Sequence, residues 1–175
     1  MINNLKLNLA ESIALKKFTK TQNFGNSFRQ FISNAKDIMV ILPENLEDMK
    51  AAFKIIKHFN AEKKNIYLYF NIDVANYIPV ELKYISVTFN PADKTKIGLP
   101  TKDHLSKIGI IFFDLVVDLN REDNIFYSVI CNAPKSKYRV GFTKKNSDKF
   151  YNFQVPNEIN SEKSYRNLLN SIRMF

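Results

Sequence analysis

Two runs of consecutive apolar residues, Ile38-Met-Val-Ile-Leu42 and the centre of Phe113-Asp-Leu-Val-Val-Asp-Leu119, constrain this chain more than any other feature. A strand with one wet face alternates apolar and polar residues, whereas an unbroken apolar strand must be covered on both faces. Each run leads through a short polar turn into helical periodicity. After the first, Met49, Ala52, Phe53, Ile56 and Phe59 line one side of a helix, with Lys50, Lys54 and Lys57 on the other. After the second, Ile125, Val129 and Ile130 face inward until Pro134 stops the helix. Further strands are expected at 65–70, 84–89, 138–142 and 150–155, and short helices at 72–77 and 103–108. Residues 90–103 read as a polar loop, and 161–175 as a closing helix with Tyr165, Leu168, Leu169 and Ile172 on its apolar side. Strands that alternate with helices imply a mainly parallel sheet between two helical layers, a Rossmann-like three-layer α/β domain. That domain is assigned to residues 36–175. Residues 1–35 are expected to be a helical preamble, with helices at 5–19 and 26–34, packed on the sheet edge or on a partner.

Composition narrows the function. With 45% hydrophobic and 25% charged residues in 175, the chain can bury one sizeable core and is not a disordered segment. Its single cysteine, Cys131, rules out an internal disulfide and fits a reducing compartment. No apolar run is long enough to span a membrane, and the first residues lack a signal-peptide core, so the expected location is the cytoplasm. A net charge of +9 raises the question of nucleic acid, but only five of the 26 basic residues are Arg, the side chain best suited to phosphate and base edges. The 21 Asn beside many Lys and Ile are what an AT-rich coding bias produces. A solvated basic surface is therefore expected, and nucleic acid is not the favoured partner.

The turns after the two strongest strands carry the candidate chemistry. In an open parallel sheet, ligands settle at the carboxyl ends of the strands where strand order reverses, and the first strand normally flanks that point. Asp48 is thereby placed on the rim of the expected cleft, where a carboxylate can serve as general base toward a hydroxyl. Asn45, Glu47, Asp118 and Asn120 are the candidate ligand-binding residues around it. The plainer reading of both turns, Asn45-Leu-Glu-Asp48 and Asn120-Arg-Glu-Asp123, is helix capping, with Asn accepting from an early N–H and Asp reaching back. No glycine lies in Pro43-Glu-Asn-Leu-Glu47, which excludes a dinucleotide fingerprint or a Walker loop, and no cofactor is expected.

Two blocks carry a family resemblance. Ile38-Met-Val-Ile-Leu-Pro-Glu-Asn-Leu-Glu-Asp-Met49 is similar to the opening strand and loop of the heptosyltransferase-like glycosyltransferases, with Leu46-Glu47-Asp48 in the place of that family's Leu-Gly-Asp. Phe113-Asp-Leu-Val-Val-Asp-Leu-Asn120, continuing to Lys135-Ser-Lys-Tyr-Arg-Val-Gly-Phe142, resembles its later strands. The same Phe-Asp-Leu and Glu-Asp-Asn pattern resembles short uncharacterised bacterial proteins. Over residues 36–145 the resemblance implies the acceptor-side half of a two-domain transferase, with Asp48 in the position of the proposed catalytic base. The nucleotide-sugar site belongs to the other half. The expectation is thus a glycosyltransferase-like domain without its donor half, a non-catalytic binding protein or one part of a split assembly. A sugar or anionic glycan is the expected ligand. A protein-interaction module, with a protein partner or second copy, and a basic nucleic-acid binder are the alternatives.

Lys135, Lys137 and Arg139, in a strand with Lys144 and Lys145 beyond it, form the candidate anion-binding cluster. Alternation places the three on one face and Tyr138 on the other, and a lysine-protected edge strand is the simpler account. His58 and His104 read as surface histidines, and with no second ligand at metal-binding spacing no metal site is expected. Cys131 reads as a small buried side chain rather than a nucleophile.

Overall fold

A computed structural model describes residues 2–19 and 31–174. Its six strands are β1 (Asp37–Ile41), β2 (Asn65–Asn71), β3 (Ile85–Phe89), β4 (Phe112–Asp118), β5 (Lys135–Phe142) and β6 (Phe153–Val155), all parallel and in the order β3-β2-β1-β4-β5-β6. The helices are α1 (Ile2–Phe18), α2 (Phe31–Asn34), α3 (Leu46–Ala61), α4 (Lys102–Gly109), α5 (Ile125–Asn132), α6 (Ser147–Phe150) and α7 (Ser161–Arg173). The fold is Rossmann-like, as the spacing of apolar runs implies.

Pleating sends alternate residues of β1 to opposite layers. Ile38, Val40 and Leu42 join Leu115, Val117, the inner faces of α3 and α7, and Phe31 and Ile32 of α2. Met39 and Ile41 join Val116, Tyr69, Phe89, the buried side of α5, and Ala10 and Ala14 of α1. The unbroken apolar strands are therefore covered on both faces.

Three local expectations change. α1 lies on α5, over a sheet face rather than an edge, because Ala10 and Ala14 are small enough to let the two helices meet. Of the helix expected at 26–34, residues 26–30 lie outside the described residues, and 31–34 form the single turn α2. Residues 150–155 divide: α6 ends at Phe150, and only Phe153–Val155 pair with β5. β5 is consequently an inner strand only over Val140–Phe142, and its exposed Lys135 and Lys137 lie beyond the pairing with β6, as the lysine-protected edge reading expects.

Candidate functional site: the crevice between the first and fourth strands

The chain builds β1, β2 and β3 outward on one side, then crosses back to lay β4 against the other side of β1. The turns after β1 and β4 consequently diverge and open a crevice at their carboxyl ends. A recess of about 130 Å³ lies there, lined by Pro43, Glu44, Asn45, Asp48, Asn120, Arg121, Glu122, Asn124 and Tyr127.

Asn45 caps α3 as expected, accepting from the backbone N–H of Glu47 at 2.9 Å and of Asp48 at 3.3 Å. Asp48 does not reach back. Its carboxylate Oδ1 accepts from Arg121 at 3.0 Å and from the Ser161 hydroxyl, and the residue is only 5% exposed. Arg121 is itself held by the Asn157 side chain and by the carbonyls of Glu158 and Ile159. The candidate base is therefore one end of a strut joining the β4–α5 turn to the start of α7. Both contacts fall on Oδ1, so the carboxylate serves first as a structural tie, while Oδ2 carries no hydrogen bond among the described residues. Glu47 is exposed and lies outside the lining of the recess.

The second turn is built differently from the first, and its expected capping pair is corrected. Asn124, not Asn120, caps α5, accepting from the Phe126 N–H at 3.0 Å. Asp123 accepts from the Lys145 N–H instead. Asp118, fully buried, takes hydrogen bonds from the Asn120 N–H, the Asn120 side chain, the Lys144 ammonium at 3.0 Å and the Tyr151 hydroxyl at 2.5 Å. The Lys144 ammonium also donates to the Asn120 carbonyl at 2.8 Å. Burial pushes the Tyr151 hydroxyl well above its ordinary range, and the adjacent Asp118 charge adds to this, so it stays a donor. Both turns thus end in carboxylates satisfied from within.

A third set lies toward β3. Tyr127 donates to Glu44, and Lys94 approaches the same carboxylate at 3.3 Å. His104 is 4% exposed, which corrects the surface reading: one ring nitrogen meets the Tyr69 hydroxyl at 2.8 Å and the other faces Asp93 at 3.4 Å. Burial holds this imidazole below its ordinary value, with Asp93 opposing the shift. A neutral ring then accepts from Tyr69 and presents its N–H to Asp93.

Beside the recess, and sharing Asn124 with it, lies a larger cavity of about 410 Å³. One wall is α1, through Leu7, Asn8 and Glu11, and the other carries Asp123, Ser128, Lys145, Asn146 and Phe150. Glu11 holds that wall in place, pairing with Lys145 at 2.8 Å and accepting from Asn146. Among the described residues no group of His, Cys, Asp or Glu is arranged to hold a metal ion, and no helix is long and apolar enough to cross a membrane.

The sequence pattern of one family matches residues 8–171, nearly the full length. The chain belongs to the family of unknown function DUF6913. No curated protein and no solved structure matches it.

In this DUF6913 chain the basic cluster does not form one receptive face. Lys135 and Lys137 are exposed, but Arg139 is buried and donates through Nε to the Cys131 carbonyl at 3.2 Å. Tyr138 packs on the opposite layer against Phe31, 4.6 Å between ring centres. Cys131 is fully buried, and burial raises its thiol far above the ordinary range, so it is inert packing. The residues that sequence reasoning missed are Arg121, Ser161, Glu44 and Tyr151. Arg121 had a usable signal, since few of the basic residues are Arg and this one falls in the turn after the clearest strand.

Proposed function

We propose that this protein is a binding domain rather than a transferase in its own right, built like the acceptor-side half of a heptosyltransferase-like enzyme. Its ligand, a small sugar or sugar phosphate, occupies the cavity between α1 and the turn after β4. The observation that carries the non-catalytic reading is the state of Asp48, whose Oδ1 is committed to Arg121 and Ser161 as a tie between two turns. The cavity supports the ligand class. Small-molecule sites combine an apolar wall with a few fixed polar groups, and here Ile97, Ile125 and Phe150 stand beside Asn8, Asn124, Asn146 and Lys145. Amide side chains both donate and accept, which suits vicinal hydroxyls, and a phosphate would reach the Lys145 ammonium by displacing Glu11 from it.

Titration with nucleotide-sugars and with phosphorylated sugars, followed by backbone NMR, tests this. Shifts confined to Asn8, Asn124 and the 145–146 turn are expected for the sugar phosphates. Absence of shifts with both ligand classes rejects the reading. A second reading, a protein-interaction module, is favoured by one side of α1, where Leu5 and Leu9, four residues apart, are 68% and 52% exposed. Sedimentation across a wide concentration range separates it, because self-association through α1 must weaken in a Leu5→Ser, Leu9→Ser variant.

A further inference from the structure

Three aromatic rings converge on one ammonium group. The Lys94 Nζ lies 4.9 Å from the centre of Phe89, 4.8 Å from Phe126 and 5.9 Å from Tyr127, and 3.3 Å from a Glu44 carboxylate oxygen. Rings presented face-on to a cation within about 6 Å, closed by one carboxylate, form the arrangement that recognises alkylammonium groups. We propose that Phe89, Phe126, Tyr127 and Glu44 form a binding site for the ammonium group of a small ligand, and that Lys94 occupies it as a tethered, displaceable plug.

Four observations carry this. First, the rings are held by their own packing as well as by Lys94. The three rings are almost fully buried and brace one another, with centroid separations of 4.9 Å for Phe89–Phe126 and 5.3 Å for Phe126–Tyr127, while Phe89 stacks on Tyr69 at 5.2 Å. Glu44 is held by the Tyr127 hydroxyl independently of Lys94. Second, the plug is tethered by backbone and not by the cage. The Lys94 N–H bonds to the Pro91 carbonyl at 3.1 Å, and Lys94 bridges Pro100, so its side chain can leave while the loop stays.

Third, the site is reached from solvent, the side chains of Lys94 and Glu44 being 30% and 42% exposed. Fourth, Glu44 and Tyr127 also line the 130 Å³ recess at the crevice, where Asp48 and Glu122 outnumber the single Arg121. A ligand lying in that recess can thus turn a positively charged end into the cage while a net acidic wall surrounds its body. The recess is small, which limits the ligand to the size of choline or a short amine. This site is separate from the sugar cavity, and neither proposal depends on the other.

The test uses the Lys94→Ala protein with choline as probe, its neutral isostere 3,3-dimethyl-1-butanol as control, and sodium chloride at matched ionic strength. Choline is expected to shift the ring resonances of Phe126 and Tyr127 and to bind on the order of 10-fold more tightly than the isostere, the ratio a partly desolvated cation–π contact supplies. A further Glu44→Gln change in the same protein should weaken choline and leave the isostere unchanged. Equal binding of the two probes, or binding of neither, overturns the proposal. Should Lys94→Ala fail to fold, the wild-type protein gives the second measurement. Choline must then raise the rate at which Lys94 is acetylated, relative to Lys96 two residues away, and an unchanged ratio overturns the proposal equally.

Discussion

At the scale of single residues, the most deeply buried ion pair among the described residues joins Asp118 and Lys144, whose side chains are 0% and 4% exposed. Removing one partner of a buried pair leaves the other charge uncompensated, at about 3–5 kcal/mol. Lys144→Ala is accordingly expected to lower the unfolding free energy by that amount in urea titration. A loss under about 1 kcal/mol, the worth of an exposed pair, would show that water reaches Asp118. Gly141 belongs to the same cluster. A Cβ there would stand 2.9 Å from the Tyr151 ring, displacing the hydroxyl that Asp118 accepts. Gly141→Ala should therefore destabilise by roughly 1–3 kcal/mol, and the cost should shrink when Tyr151 is already Leu.

His104 contributes the acid sensitivity. Its folded-state value is depressed from 6.5 by burial, so below that value the unfolded chain binds the proton more readily. The neutral ring's stabilisation is complete above about pH 6.5 and is lost as pH falls through the unfolded and then the folded value. His58 shifts the same way, chiefly through burial. A His104→Gln variant, which can still accept from Tyr69, separates the two. Its stability should depend less steeply on pH below 6.5, whereas an unchanged slope would assign the effect to His58.

At the scale of elements, α1 is joined to the domain by two kinds of contact with unequal reach. Ala10 and Ala14 pack out of water, while Glu11 spans the cavity to Lys145 and Asn146. Exposed ion pairs add little to global stability, yet this one fixes the position of a cavity wall. Glu11→Ala is expected to leave the midpoint of global unfolding nearly unchanged and to make amide exchange along residues 7–18 several-fold faster, since partial opening costs less than unfolding. Equal protection in both proteins would place the hold entirely in the alanines. That α1 is a helix was legible from its spacing, but its docking face was not. Leu5, Leu7 and Leu9 occur beside Ala10 and Ala14, so apolarity points two ways, and only the fit of small residues against α5 decides. The last strand was overextended for a related reason. Phe150 and Tyr151 are apolar enough for a strand, but Asn146, in the left-handed region with φ 56°, starts a helical turn that buries Phe150 from another direction.

At the scale of the whole molecule, β1 and β4 were legible because burial on both faces leaves an apolar run, and α3 and α7 because burial on one side leaves a period. Strand order leaves no such mark. It decides that the turn after β4 meets the turn after β1, and hence that Asp48 finds Arg121, 73 residues away, and Ser161, 113 residues away. Partners at that separation follow from topology, which is why capping, a local event, was the nearer explanation for Asp48. The same topology makes α7 the closing element. Tyr165, Leu168 and Ile172 are 2%, 0% and 3% exposed against the layer containing α3, and the Tyr165 hydroxyl donates to the Leu119 carbonyl at 2.5 Å. Burying such side chains contributes about 1.5–3 kcal/mol each. Three of them approach the total stability of an ordinary domain, roughly 5–15 kcal/mol. A chain cut after Asn160 should therefore lose its cooperative thermal transition, although none of its strands is touched. If it kept one near the full-length midpoint, α7 would be an appendage, and the strut from Asp48 to Ser161 would have no part in holding the crevice.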